Sequence, residues 1–310
     1  MSKEPTDLTR NIVLITRSRH LQDKGDHFLL AGKPILERQL DAKRKLSGQL
    51  RHGSRDIREL TDNDFSAFSL GTGFFIDLAE DQFSGLWIAT AAHVLLEANQ
   101  YLHDGLDELY FIADYAPSGN EAQRIERSQV FVASALGEAE LKLTHYDYSA
   151  TNVDWAFLPV EPVDPDTSVA TSGFRILSTD NPVAQGDEVT MIGYPLGLGA
   201  VKDSGKVIRM DSKTPEIFEC RFAAFPGNSG SPILKLEGRE WLACGILVRG
   251  TAYFRETDVT VKTSDGTREE KKYILENIGA VGKKDEEGEE CQLLAPAIAA
   301  LKLNSTRQNV

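Results

Sequence analysis

From about residue 65 the chain is written in short apolar runs of roughly four to eight residues with turn residues between them, a texture that leaves few architectures open. Such runs fall at Ser69–Ile76, Leu86–Thr90, Leu109–Ile112, Val130–Val132, Leu141–Leu143 and Trp155–Val160. Glu161-Pro162-Val163-Asp164-Pro165-Asp166 follows, and its two prolines and its charges read as a linker. The pattern then resumes at Phe174–Leu177, Glu188–Gly193, Lys206–Met210, Ile217–Phe222, Ile233–Leu236 and Trp241–Val248. Six runs on either side of a linker predict an all-β protein of two packed six-stranded antiparallel β-barrels, over residues 61–165 and 166–305.

Two stretches do not share this texture. Residues 1–60 form a basic N-terminal extension with 13 Lys+Arg against 8 Asp+Glu, whereas the rest of the chain carries 21 against 39. Within the extension Asn11–Thr16 reads as a strand, and Leu36, Leu40, Leu46 and Leu50 recur at near-helical spacing after Pro34. Residues 251–290 interrupt the second barrel with a hairpin signal around Ser264-Asp265-Gly266-Thr267 and an acidic run, Lys283–Glu290, that reads as a solvated loop. A closing strand and a short helix, Leu293–Leu303, finish the chain.

Charge and composition exclude several classes. The net charge of −13, concentrated after residue 60, repels phosphates, so no general nucleic-acid partner is expected. No apolar run approaches the ~18–20 residues of a membrane span, and Met1–Asp7 lacks the apolar core of a signal peptide. Cys220, Cys244 and Cys291 are few and odd in number, which favours a reducing, cytoplasmic setting over a disulfide scaffold. They lack the paired spacing of a metal site, and no phosphate-binding glycine loop is present, so neither a metal nor a cofactor is expected.

The chemistry centres on Pro226-Gly227-Asn228-Ser229-Gly230-Ser231-Pro232. Glycines flanking Ser229 permit a tight turn whose successive N–H groups can converge on one point, which is what holding an oxyanion requires. A serine hydroxyl also needs a base, and the base needs a carboxylate to fix its tautomer. Of six histidines, His93 alone ends a hydrophobic run, Leu86 to Ala92. Asp154 opens the apolar run Trp155–Leu158, where a half-buried carboxylate demands hydrogen-bond partners. Taken singly, each residue has an ordinary reading as well: a polar loop, a satisfied core histidine, a strand-initiating turn.

Taken together, Gly71-Thr72-Gly73-Phe74-Phe75-Ile76, Thr90-Ala91-Ala92-His93, Asp154-Trp155-Ala156-Phe157-Leu158 and Gly227-Asn228-Ser229-Gly230-Ser231-Pro232 resemble the signature segments of trypsin-like serine proteases of the chymotrypsin fold, in that family's His, Asp, Ser order. Gly193-Tyr194-Pro195 and Leu293–Ile298 are closer in style to the HtrA and glutamyl endopeptidase branches. The resemblance implies Greek-key barrels, with Ser229 as nucleophile, His93 as general base and acid, and Asp154 as its orienting carboxylate. It implies an oxyanion hole from the N–H groups of Gly227 and Ser229. It also implies substrate pairing along Val248-Arg249-Gly250 and a primary specificity pocket at Ala223 and Ala224, whose small apolar surface predicts cleavage after small or medium aliphatic residues.

Departures from the trypsin pattern carry their own expectations. Asn228 stands where secreted trypsins place the aspartate that captures a newly cut N-terminus, and no Arg-Ile-Val-Gly-Gly junction occurs, so activation by such a cut is not expected. No PDZ-like tail is expected after Gly250 either. The expected partner is a protein or peptide substrate, with residues 1–60 or 251–290 as the seats of a restraint and of a regulatory partner, the enzyme being held latent until that partner or a trigger acts. The contrasting expectation is a catalytically silent adaptor on the same fold.

Overall fold

The computed structural model describes residues 8–30, 59–60, 70–78, 83–99, 109–117, 122–134, 146–149, 153–167, 173–195, 199–211, 213–214, 216–222, 224–225, 227–249, 252–263, 266–277 and 288–308. The expected helix after Pro34, the Leu141–Leu143 strand, Ala223, Pro226 and Gly250 lie outside the described residues.

Among the described residues the first half contributes eleven strands: β1 (Ile12–Arg17), β2 (Leu21–Asp23), β3 (His27–Leu30), β4 (Glu59–Leu60), β5 (Gly71–Ile76), β6 (Leu86–Thr90), β7 (Leu109–Ala113), β8 (Gln123–Glu126), β9 (Val130–Ala133), β10 (Tyr146–Ser149) and β11 (Val153–Pro162). Helix α1 (Ala92–Asn99) follows β6 directly. Strands β11, β6, β5, β1, β7 and β9 pair in that order, and β9 pairs back onto β11, closing a six-stranded antiparallel ring with β10 outside it. The second half contributes β12 (Glu188–Gly193), β13 (Val201–Met210), β14 (Ile217–Cys220), β15 (Pro232–Glu237), β16 (Glu240–Arg249), β17 (Ala252–Thr263), β18 (Gly266–Asn277), β19 (Glu289–Leu293) and helix α2 (Leu294–Gln308). Its closed ring runs β12-β13-β14-β19-β16-β15. Two six-stranded antiparallel barrels are thus the architecture, as the run spacing predicts, and it is the chymotrypsin type.

Ring closure explains why β5 and β11 read as near-continuous apolar runs rather than alternating ones. One face of each fills its barrel, and the other is covered by neighbouring structure, so all of β5 and the Asp154–Leu158 stretch of β11 are buried. Aromatic side chains fill the first barrel, with Phe75 and Phe131 edge-on at 5.0 Å between ring centroids. Aliphatic and sulfur side chains join Phe218 and Phe222 in the second, where Met191, Cys220, Cys244 and Cys291 share one cluster. Tyr115 and Tyr194 meet edge-on at 5.7 Å, and Tyr115 N–H donates to the Tyr194 hydroxyl at 3.1 Å. Burial pushes both phenols far above their ordinary pKa, so they stay neutral.

Four boundaries differ from the sequence reading. β1 belongs to the first barrel, between β5 and β7, and Ile12 to Ile15 are fully buried, so the N-terminal 60 residues are not wholly an extension. The linker begins later than expected, because Pro162 still pairs with Phe131. Phe174 and Ile176 make only isolated bridges, to Ile76 and Ala243, instead of a strand. Finally, Glu289 and Glu290 open β19 rather than ending a solvated loop. The hairpin, β17 with β18, is longer than its turn signal suggested, and β4 pairs with β18 through Leu60 and Glu59. Among the described residues no helix is long and apolar enough to cross a membrane.

Removing residues 1–17 deletes β1 and opens the barrel between β5 and β7. Such a chain is expected to lose its cooperative thermal transition; a melt like that of the full chain would contradict the placement of β1.

Candidate active site

β6 and β11 run antiparallel with Ala156 opposite Thr90, so Asp154 lies two residues beyond the last rung, where β6 gives way to α1. His93 sits in the first turn of α1 and not at a strand end, because the chain turns helical at Ala92. That turn brings both oxygens of Asp154 to bear on one residue. Oδ1 accepts the His93 backbone N–H at 2.9 Å, and Oδ2 lies 2.6 Å from His93 Nδ1. An ionised carboxylate only accepts, so Nδ1 carries the proton and neutral His93 presents an Nε2 lone pair. The carboxylate is shut away from water while the imidazole is about one-fifth exposed, the arrangement a base needs if it is to be oriented from behind and reached from the front.

Asp154 is itself held from the second barrel. Its backbone N–H donates to Oε1 of Gln292, a fully buried residue of β19, at 3.2 Å. No pattern in the sequence joins two residues so far apart, and Gln292 went unassigned.

The serine turn follows the same logic of anchoring. Gly227 and Gly230 take φ of +94° and +87°, left-handed values that favour glycine. At Gly230 a Cβ would collide with the Thr72 carbonyl oxygen and Thr90 Oγ1, so the turn can lie against the end of β6 only without a side chain there. Thr72 ties the parts together. Its N–H donates to Ser229 O at 2.8 Å, its hydroxyl donates to Gly227 O at 2.7 Å, and that hydroxyl accepts Tyr194 N–H at 3.0 Å. Thr90 Oγ1 in turn donates to Thr72 O at 2.8 Å, three residues before His93. Thr72 was legible as part of a motif, but its bridging role was not.

Within the turn the N–H donors divide cleanly. Asn228 N–H bonds Phe225 O, Gly230 N–H bonds Leu247 O, and Ser231 N–H bonds Asn228 O. Gly227 and Ser229 N–H make no hydrogen bond among the described residues, and both residues are partly exposed. Two accessible, unengaged donors two residues apart, one of them on the serine itself, can serve an oxyanion. Asn228 is fully buried, and its Oδ1 together with Ser231 Oγ packs where a Gly193 Cβ would stand. An aspartate there would bury a charge and call for a cation; the amide does not.

The remaining expected site residues that the structure describes differ in exposure. Ala224 and Val248 are buried, and Arg249 is half-exposed with its guanidinium 3.1 Å from Glu290. All three cysteines are buried free thiols; burial raises Cys244 and Cys291 far above the ordinary range, which makes them poor nucleophiles.

Residues 71–243 match the sequence model of the trypsin-like peptidase domain. No curated protein matches. Among solved structures, the inactive form of a serine-to-alanine mutant of Rv3671c from M. tuberculosis H37Rv aligns at 17% identity over 82% of this chain and 94% of that one, with a TM-score of 0.36.

Replacing Thr72 by valine keeps the shape but leaves Tyr194 N–H buried without its acceptor. A loss of about 1–3 kcal/mol is expected from the urea midpoint. A variant as stable as the parent would remove Thr72 from its bridging role.

Proposed function

Since the chain belongs to the trypsin-like peptidase family, we propose that it is a serine endopeptidase whose nucleophile is Ser229, with His93 as general base and Asp154 as the group that orients it. The observation that carries the reading is the contact between His93 Nδ1 and Asp154 Oδ2, with a carboxylate closed to water behind an imidazole that is not.

The steps follow from what each group can do. Ser229 Oγ attacks the carbonyl carbon of a peptide bond as His93 Nε2 takes its proton. The resulting imidazolium is stabilised by Asp154, which stays ionised throughout. Negative charge gathers on the former carbonyl oxygen, where Gly227 and Ser229 N–H donate to it. The tetrahedral adduct collapses when His93 returns the proton to the departing amine, leaving an ester on Ser229. Water, activated by the same imidazole, then hydrolyses that ester. Ser229 Oγ takes no hydrogen bond among the described residues, His93 included; in free enzymes this contact is commonly long and shortens when substrate binds.

The substrate backbone is proposed to pair along Val248-Arg249-Gly250, adding a strand beside β16. Latency would be exerted by the two segments outside the barrels, and these are not independent, for β4 from one pairs with β18 of the other. Because β1 is a barrel strand, a test of restraint must remove β17 and β18 rather than residues 1–60.

A fluorophosphonate probe should label the wild type, and Ser229→Ala and His93→Ala should each abolish labelling. Asp154→Asn, which favours the wrong imidazole tautomer, is expected to lower kcat by about 10⁴-fold on a peptide substrate. A folded wild type that resists the probe would favour the silent adaptor instead.

A further inference from the structure

Asp154 sits where its own strand stops holding it. The rungs between β11 and β6 end at Ala156 and Thr90, so on that side the ladder supplies no acceptor for the Asp154 N–H. On the other side Asp154 pairs with Tyr148 of β10, the strand outside the ring. The N–H is taken by Oε1 of Gln292, at 3.2 Å. A donor requires an acceptor, so this contact decides which end of the amide faces Asp154.

A glutamine is an expensive residue to keep in this place. Successive residues of β19 face opposite ways. Cys291 belongs to the core of the second barrel, whereas Gln292 stands opposite Ile246, a member of the apolar cluster that includes Trp155 and Ala156 of β11. Gln292 is fully buried on that apolar face, and its Nε2 makes no hydrogen bond among the described residues. An amide buried with one end unpaired opposes folding, and an unbranched apolar side chain would fill the same space without that penalty. What a hydrocarbon cannot supply is an acceptor for Asp154. The platform that supplies it is rigid. β19 runs between β14 and β16 in the closed ring, and a Cβ on Gly245 of β16 would meet the Gln292 carbonyl oxygen and the Phe218 ring. A side chain rooted in such a strand holds its place better than one on a loop.

We propose that Gln292 is a positioning residue for the reaction. By holding the Asp154 backbone it sets the aim of a carboxylate whose two oxygens both engage His93, and thereby the rate at which His93 moves the proton of Ser229. This rests on the reading of His93, Asp154 and Ser229 as the machinery of a peptidase.

The test compares the wild type with Gln292→Met, which keeps an unbranched side chain of similar length and removes the acceptor. Both are titrated with fluorophosphonate and assayed on p-nitrophenyl acetate, whose acyl transfer and hydrolysis need the same imidazole. The urea midpoint and the low-field proton resonance of His93 Nδ1–H are measured alongside. The variant exchanges an unpaired Nε2 for an unpaired Asp154 N–H, so its urea midpoint should stay close to that of the wild type. For each titrated chain kcat should fall roughly 10²-fold with KM little changed, the scale of a misplacement of about 1 Å. The Nδ1–H resonance should move upfield as the short bond to Asp154 loosens. A kcat undiminished per titrated chain, whether or not stability falls, makes Gln292 merely structural and overturns the proposal. So does a loss confined to KM. A lower kcat with the His93 resonance unmoved also overturns it, since the loss then does not pass through Asp154. If Gln292→Met does not fold, Gln292→Asn takes its place: it keeps the amide but is a methylene too short to reach, and an undiminished kcat there overturns the proposal. A wild type that does not take the probe strikes the peptidase reading, and the proposal falls with it.

Discussion

The hydroxyl of Thr72 is the interaction on which the rest of this site depends. It accepts a backbone N–H leaving β12 in the second barrel and donates to the carbonyl of Gly227 in the serine turn, while its own backbone belongs to β5 of the first barrel. One side chain thus registers the Ser229 turn against the strands that lead to His93. Catalysis by proton transfer tolerates little misplacement, and shifts of about 1 Å can cost 10²-fold. Gln292 performs the complementary service, reaching from the second barrel to the backbone of Asp154 in the first. Asp154 and the turn carrying Ser229 come from different barrels, and each is fixed by a residue of the other.

That arrangement gives the small residues of the site a physical reason. Gly230 admits the end of β6, Gly193 admits Asn228 and Ser231, and Gly71 admits Val94 of α1 and the Ser229 carbonyl. Each lets two backbones or a backbone and a side chain approach where a methyl group would not fit. The turn is consequently held in shape by packing and hydrogen bonds already within the fold, with Gly227 and Ser229 N–H left over. A buried neutral amide at Asn228 is consistent with a turn that needs no captured amine to form.

How much of this was legible in the sequence depended on whether the cause was local. Strand runs with turns between them predicted two barrels because pleat period and glycine placement act over a few residues. His93, Asp154 and Ser229 were singled out from their motifs and their order, and the structure brings the first two into contact. The helical first turn at His93 was missed because a short apolar run reads alike as strand or buried helix. Glu289 was assigned to a solvated loop because its burial comes from pairing with Cys220, nearly seventy residues away. Gln292 and Thr72 act across the barrel boundary, and no periodicity reports such a contact. β1 was seen as a strand but assigned to an extension, since its partners β5 and β7 are contiguous with it only in space.

The central claim is that a hydroxyl on the Gly227–Ser231 turn is a nucleophile activated across the barrel interface. Its most direct measurement is a pre-steady-state burst with p-nitrophenyl acetate, followed by acid quench and peptide mapping of the trapped acyl group. The account predicts a burst of about one equivalent of nitrophenolate per folded chain, with the acetyl group on Ser229. No burst, or an acetyl group on any other residue, would contradict it.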